Sequence, residues 1–340
     1  MKKNALLILF NVLLLSATAQ LSDIAKPLGE GGIASPILSV TLAEGDTLWT
    51  TGGTTGLNFS QVYLENWAAG GESSISVNGM VSWHANYAKN KSTWDNTLDL
   101  AYGMLWQGDA TGVKTDDKID FASKYGYKAA DHLYYTALAT FRSQFAPGYD
   151  NPFAHDTVRS VISNFMAPAY SNVALGIDYK PSDNFTVFMS PTTIKMTMVN
   201  DQTLANAGAF GVEGATYDDQ GNLLTAGKNF RSEFGVYVKM MYKTNIVENV
   251  TLQTKLDLFS NYKKNPNWGF SVSPNIDVNW ETLITMKINE YLSTTITTQV
   301  LYDDDIDIAR DPADVAANGI LAGPITQFKE VLAVGFLYKF

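Results

Sequence analysis

Apolar residues recur at every second position through most of this chain, in stretches bounded by links rich in Gly, Pro, Asn and Asp. The final segment shows the pattern plainly. Leu332, Val334, Phe336, Tyr338 and the terminal Phe340 share one face, while Ala333, Gly335 and Lys339 share the other, with Leu337 an apolar exception. A period of two puts alternate side chains on opposite faces of a β-strand, so each stretch is a ribbon with one greasy and one small or polar side.

Read this way, strands are expected at about Trp49 to Tyr63, Ser73 to Tyr87, Trp94 to Trp106, Lys118 to Lys128, His132 to Phe145 and Pro168 to Lys180. Others follow at about Phe185 to Met198, Phe230 to Lys243, from Val250, Ile276 to Ile288, Leu292 to Tyr302, and in the terminal stretch. The second sets Ile75, Val77, Val81, Trp83 and Tyr87 against Ser74, Ser76, Asn78, Ser82, His84 and Asn86. The ninth alternates Val250, Leu252, Leu256 and Leu258 with Thr251, Gln253, Lys255 and Asp257. Pro191 inside the seventh marks a bulge, where no ladder donor is needed.

The links alternate in length. Those after even-numbered strands are short, such as Lys89 to Lys91, Ala129 to Asp131 and Pro181 to Asn184. Those after odd-numbered strands are mostly long, such as Ala146 to Ala167, Val199 to Asn229 and Asp303 to Thr326. Membrane barrels have short periplasmic turns, long external loops and an even strand number, whereas a Greek-key sandwich gives no such alternation. The expected fold is all-β: a closed antiparallel up-and-down transmembrane β-barrel of about 12 strands, with ten or fourteen the nearest alternatives.

The N-terminus sharpens the location. Lys2 and Lys3, an apolar run from Ala5 to Leu15, and Ala17-Thr18-Ala19 before Gln20 read as a secretory signal over 1–19, cleaved after Ala19. A Pro- and Gly-containing leader over 20–46 then precedes a barrel over 47–340. No cysteine is present, which excludes disulfides, thiolate metal sites and a Cys nucleophile. The net charge of -10 is the wrong sign for a nucleic-acid binder held by phosphate contacts. Seventeen Tyr, 17 Phe and seven Trp suit the aromatic girdles of a membrane barrel.

The polar faces are too charged for a dry core. Candidate lumen-lining residues are His84, Asp95, Asp99, Lys124, Arg142, Asp178, Glu233, Lys239, Lys255, Asp257, Asp277, Glu281 and Lys287, with Asp120, Lys180 and Lys195 on the same faces. Left unpaired in apolar surroundings, each would cost several kcal/mol, so water or mutual ion pairs are expected around them. The surplus of acid is expected in the links, at Asp116-Asp117, Asp218-Asp219 and Asp303-Asp304-Asp305.

Candidate chemistry is thin. His84 and His132 fall on expected inward faces and His155 in a long link, but no Ser-centred motif accompanies them, so no catalytic residue is assigned. No cofactor or metal site is assigned either. The acidic run Asp303, Asp304, Asp305 lacks the Gly and distal Glu of a helix–loop–helix Ca²⁺ loop. It joins Trp67, in the small-residue stretch Asn66 to Glu72, as a candidate for the barrel mouth.

Eight stretches carry a resemblance: Asn66 to Gly71, Trp94 to Leu100, Phe141 to Gly148, Val199 to Gln202, Gly208 to Gly211, Lys255 to Tyr262, Asn275 to Trp280 and Tyr302 to Asp305. On these the chain resembles domain-of-unknown-function family 3078, outer-membrane barrels of Bacteroidetes-type bacteria. The resemblance implies a barrel in the outer membrane and brings no catalytic residues. The expected role is a porin-like conduit for small polar solutes. The alternative is a non-conducting scaffold whose external loops bind a protein partner, and an enzyme barrel is the weakest reading. Outer-membrane lipid is the expected surrounding, and nucleic acid is not an expected partner.

Overall fold

The computed structural model describes residues 48–65, 72–108, 112–150, 159–265, 269–289, 291–306, 308–309 and 322–340. The expected signal, the leader, Trp67 and His155 lie outside the described residues. Twelve long strands form one sheet: β1 Trp49–Val62, β2 Ser74–Lys89, β3 Ser92–Gln107, β4 Val113–Ala130, β5 Leu133–Ser143, β6 Ala169–Ser182, β7 Phe185–Met198, β8 Phe230–Val247, β9 Val250–Asn265, β10 Asp277–Lys287, β11 Leu292–Tyr302 and β12 Gln327–Lys339. Each pairs antiparallel with the strands before and after it in the chain, and β12 returns to β1, so the sheet closes. It is a closed up-and-down barrel with the polarity of the transmembrane type.

That polarity follows from the alternation. On β3, Trp94, Tyr102 and Trp106 are exposed on the outside, while Thr93, Asp95, Thr97 and Asp99 are buried inside. On β12, Phe336 is 66% exposed, whereas Asp95 and Asp178 inside are 0% and 1% exposed. A soluble barrel would show the reverse. Leu252, Leu256 and Leu258 face outward on β9, and no second layer covers them among the described residues.

The two ends differ. At one, strands are joined by short turns: residues 90–91, 131–132, 183–184, 248–249 and 288–291. The first two need a left-handed residue, supplied by Asn90 (φ 54°) and His132 (φ 62°). His132 is therefore an exposed turn residue, not the lumen residue that alternation suggested. Trp49 packs on Tyr87 and Trp94 with ring centroids 5.3 and 5.9 Å apart, forming part of an aromatic rim at this end.

At the other end the links are long and partly built. The link over 144–168 carries the small hairpin Gly148–Tyr149 with Val161–Ser163. That over 199–229 carries α1, Gln202–Asn206, capped by the Asp201 carboxylate, which accepts from the backbone N–H of Thr203 and Leu204. Ala167, Val199, Leu204, Ala205 and Val212 bury together and fasten one loop to the other. β4 begins at Val113, earlier than the alternation indicates, so the link before it is only 108–112.

Pro191 lies in a bulge, since the register of β7 against β6 jumps between Leu175/Thr192 and Ile177/Met189. The Ser190 hydroxyl donates to the Leu175 carbonyl at 2.7 Å and holds the kink. Gly176 is needed beside it, because a Cβ there would lie 2.0 Å from the Met189 carbonyl oxygen.

Candidate functional site: the charged lumen

Register brings opposite charges side by side on the inner face. Asp95 pairs across strands with Lys124, Lys195 with Glu233, Lys239 with Asp257 and Lys255 with Glu281. Such neighbours attract, and here each also relieves the other's loss of water. The alternation of the sequence thus produces a charged lumen already close to neutral.

Longer side chains then reach past their neighbours, in three tiers. Near the short turns, Lys124 Nζ lies 2.8 Å from Asp178 Oδ2, and the Thr186 hydroxyl donates to Asp178 Oδ1 at 2.6 Å. Lys180 lies 3.5 Å from the same carboxylate and 3.8 Å from Asp95. In the middle, Arg142 on β5 lies 3.1 Å from Asp120 and 3.4 Å from Asp257 on β9, crossing part of the lumen. Asp257 also accepts from Lys239 and from the Tyr237 hydroxyl, both at 2.9 Å. Beside this tier Leu138, Ala174, Phe188, Tyr237 and Phe259 form a buried apolar cluster on five consecutive strands, β5 to β9.

At the long-loop end Lys195 Nζ sits 2.9 Å from both Asp277 and Asp303. Arg231 bonds Glu233 at 2.8 Å and also pairs with Asp305. Asp304 accepts from Asn275 and, at 3.1 Å, from the Tyr302 hydroxyl. The three neighbouring carboxylates therefore turn to three different partners. That arrangement ties the loop after β11 into the lumen and spends the oxygens a Ca²⁺ ion would need. Among the described residues no group of three or more acidic or histidine side chains is placed to hold a metal. A cavity of about 50 Å³ lies between the middle and upper tiers, lined by Thr140, Arg142, Lys195, Asp257, Asp277 and Asn279 among others. Its polar lining suits water.

Of the candidate lumen residues, Asp95, Asp99, Lys124, Arg142, Asp178, Glu233, Lys239, Lys255, Asp257, Asp277 and Glu281 face inward. His84 does too, half-buried beside Gly52. Lys287 keeps the inward parity of Glu281 but ends β10 at the short turns, where it is exposed. Asp116, expected in a link, is buried on the inner face of β4, where it accepts from Asn78 at 3.3 Å and lies 3.7 Å from Lys329 of β12. Lys118, Arg231 and Lys329 belong to the same network and were not singled out from the sequence. Their parity with Asp120, Glu233 and Ala333 was the available signal. They sit where strand and link merge in the pattern, which blurs that parity.

A family model described as protein of unknown function (DUF3078) matches residues 59–149, less than half of the chain. No curated protein matches the sequence. Among solved structures, an outer-membrane channel of Pseudomonas putida F1 is similar at 8% identity and a TM-score of 0.40, covering 91% of this chain and 100% of that one. The translocator domain of the autotransporter NalP from Neisseria meningitidis is similar at 10% identity and 0.36, covering 87% and 90%. The NanC porin gives 8% and 0.34, covering 84% and 99%.

Proposed function

We propose that this protein spans the outer membrane of a Gram-negative, Bacteroidetes-type bacterium and forms a narrow conduit for small polar solutes. The observation that carries the reading is the opposition of the two faces: an uncovered apolar exterior around an interior of paired charges. In hydrocarbon every unpaired backbone group costs several kcal/mol, and a closed sheet is the β-structure that avoids this. The short turns then face the periplasm and the long loops the outside. A polar wall lets water and solute replace one another, while the ion-paired tiers limit the free cross-section. A barrel of about eight strands is filled by its own side chains and one of 16–18 holds an open channel. A twelve-stranded barrel lies between the two.

The crossing pair Arg142–Asp257 and the loop held by Lys195–Asp303 also favour a second reading, a non-conducting scaffold that binds a protein partner through its external loops. Single-channel recording in planar bilayers separates the two. The conduit reading expects small, reproducible current steps in KCl. Removing residues 199–229 should leave them in place or enlarge them, because the pore is the barrel and the loop only narrows its mouth. Silent insertions of correctly folded protein, with and without that loop, would leave the scaffold.

A further inference from the structure

The closure of the barrel is uneven. β1 and β12 pair over only five residues each, from Thr54 with Lys339 to Asn58 with Gly335. Two further backbone bonds, of 2.9 and 3.0 Å, join Gly53 and Phe340. At the last paired step a Cβ on Gly335 would lie 2.0 Å from Asn58 Oδ1, so the Asn58 side chain lies across this glycine.

Beyond it the strands part. The same register would pair Phe59 with Val334 and Gln61 with Leu332, yet among the described residues the β1–β12 ladder ends at Asn58 and Gly335. Each strand stays paired to its other neighbour here, β1 to β2 as far as Val62 and β12 to β11 as far as Gln327. The alternation that bonds Phe340 to Gly53 directs the free edge at Phe59 and Gln61, and at Phe328, Glu330, Leu332 and Val334. Val331, which faces inward opposite Thr297, is nevertheless 38% exposed.

We propose that this gap is a lateral portal between the lumen and the outer half of the bilayer, taking an amphiphile with an uncharged hydroxyl- or amide-bearing head. The chemistry of its two sides is the reason. Phe59, Phe328, Leu332 and Val334 are exposed on the lipid side and suit an apolar chain. Asn58, Ser60 and Ser76 lie on the lumen side. N–H and C=O groups that leave a strand ladder at membrane depth require another hydrogen-bonding partner, and such a head supplies both donors and acceptors. The portal rests on the lipid-facing assignment of the outer wall and goes beyond the axial conduit.

The chain has no native cysteine, so single substitutions report cleanly. In proteoliposomes, Val331→Cys should react with both a water-soluble impermeant maleimide and a lipid-dissolved acyl maleimide. Thr297→Cys, beside it on the inner wall, should react with the aqueous reagent alone, and Leu332→Cys with the lipid reagent alone. An alkyl glucoside with a photoreactive chain should attach to the unsubstituted protein around 59–62 and 328–334. Oxidising the pair Ser60→Cys and Ala333→Cys should lower that attachment at least ten-fold, and reduction should restore it.

Val331→Cys reacting like Thr297→Cys, or photoattachment spread evenly around the barrel, would overturn the proposal. Protection of Val331→Cys from both reagents by a co-purifying polypeptide would also overturn it, in favour of a strand added at the edge. Conductance measured on the same preparations keeps the readings apart. Current without dual labelling sinks the portal alone, and dual labelling in a silent barrel sinks the conduit alone.

Discussion

At the scale of single residues, the interior depends on charges that are tolerable only in pairs. Asp178 is the clearest case: 1% exposed, with Lys124 at 2.8 Å, Lys180 at 3.5 Å and the Thr186 hydroxyl at 2.6 Å. Removing one partner of a buried pair costs about 3–5 kcal/mol, because the remaining charge keeps its desolvation without its attraction. Asp178→Asn is therefore expected to lower unfolding stability by about 3 kcal/mol in urea titrations followed by loss of the folded gel band. At the exposed Asp219, Asp219→Asn should change it by less than about 0.5 kcal/mol. Glycine supplies a second test. Gly176→Ala would drive a Cβ to within 2.0 Å of the Met189 carbonyl at the bulge, whereas Gly79→Ala meets nothing within 4 Å. The first should cost about 1–3 kcal/mol by the same titration and the second close to nothing.

At the scale of elements, the alternation in the sequence located all the long strands, because each ribbon separates two unlike surroundings and a slip of one residue would exchange them. Pro191 marked its bulge for the same local reason, a missing N–H. What escaped was whatever depends on where a strand stops. Asp116 reads as a link residue because Asp117 and Lys118 follow it without an apolar partner, yet it is buried inside β4. Lys287 has the parity of a lumen residue, but as the last position of its strand it is exposed where the wall meets solvent. His132 obeys the alternation but is taken by a turn that needs a positive φ. The ion pairs that skip strands, such as Arg142 with Asp257, depend on how the sheet curls and leave no mark in the sequence.

The terminal strand carries its own prediction. Phe340 gives β1 two backbone hydrogen bonds, and its ring covers Gly53, where a Cβ would lie 2.6 Å from the ring. Deleting Phe340 should cost about 3 kcal/mol, about 2 of it from those two bonds at about 1 kcal/mol each. Phe340→Ala keeps the bonds and should cost about a third as much. The comparison is read from the fraction of folded band after refolding into lipid vesicles. Equal losses in the two variants would assign the closure to the aromatic ring instead of the backbone.

At the scale of the whole molecule, everything follows from which side of the wall is wet. If lipid covers the exterior, the interior charges have water and one another, the long loops lie outside the cell, and a path for polar solutes is physically consistent. The most direct measurement is a nitroxide scan along β9, one residue at a time from Leu252 to Leu258 in lipid bilayers, comparing collisions with oxygen and with a water-soluble nickel chelate. A lipid-covered exterior predicts oxygen maxima at Leu252, Leu256 and Leu258, with nickel access out of phase at Gln253, Lys255 and Asp257. Oxygen and nickel profiles that rise and fall together, or a reversed phase with the leucines shielded from lipid, would contradict it.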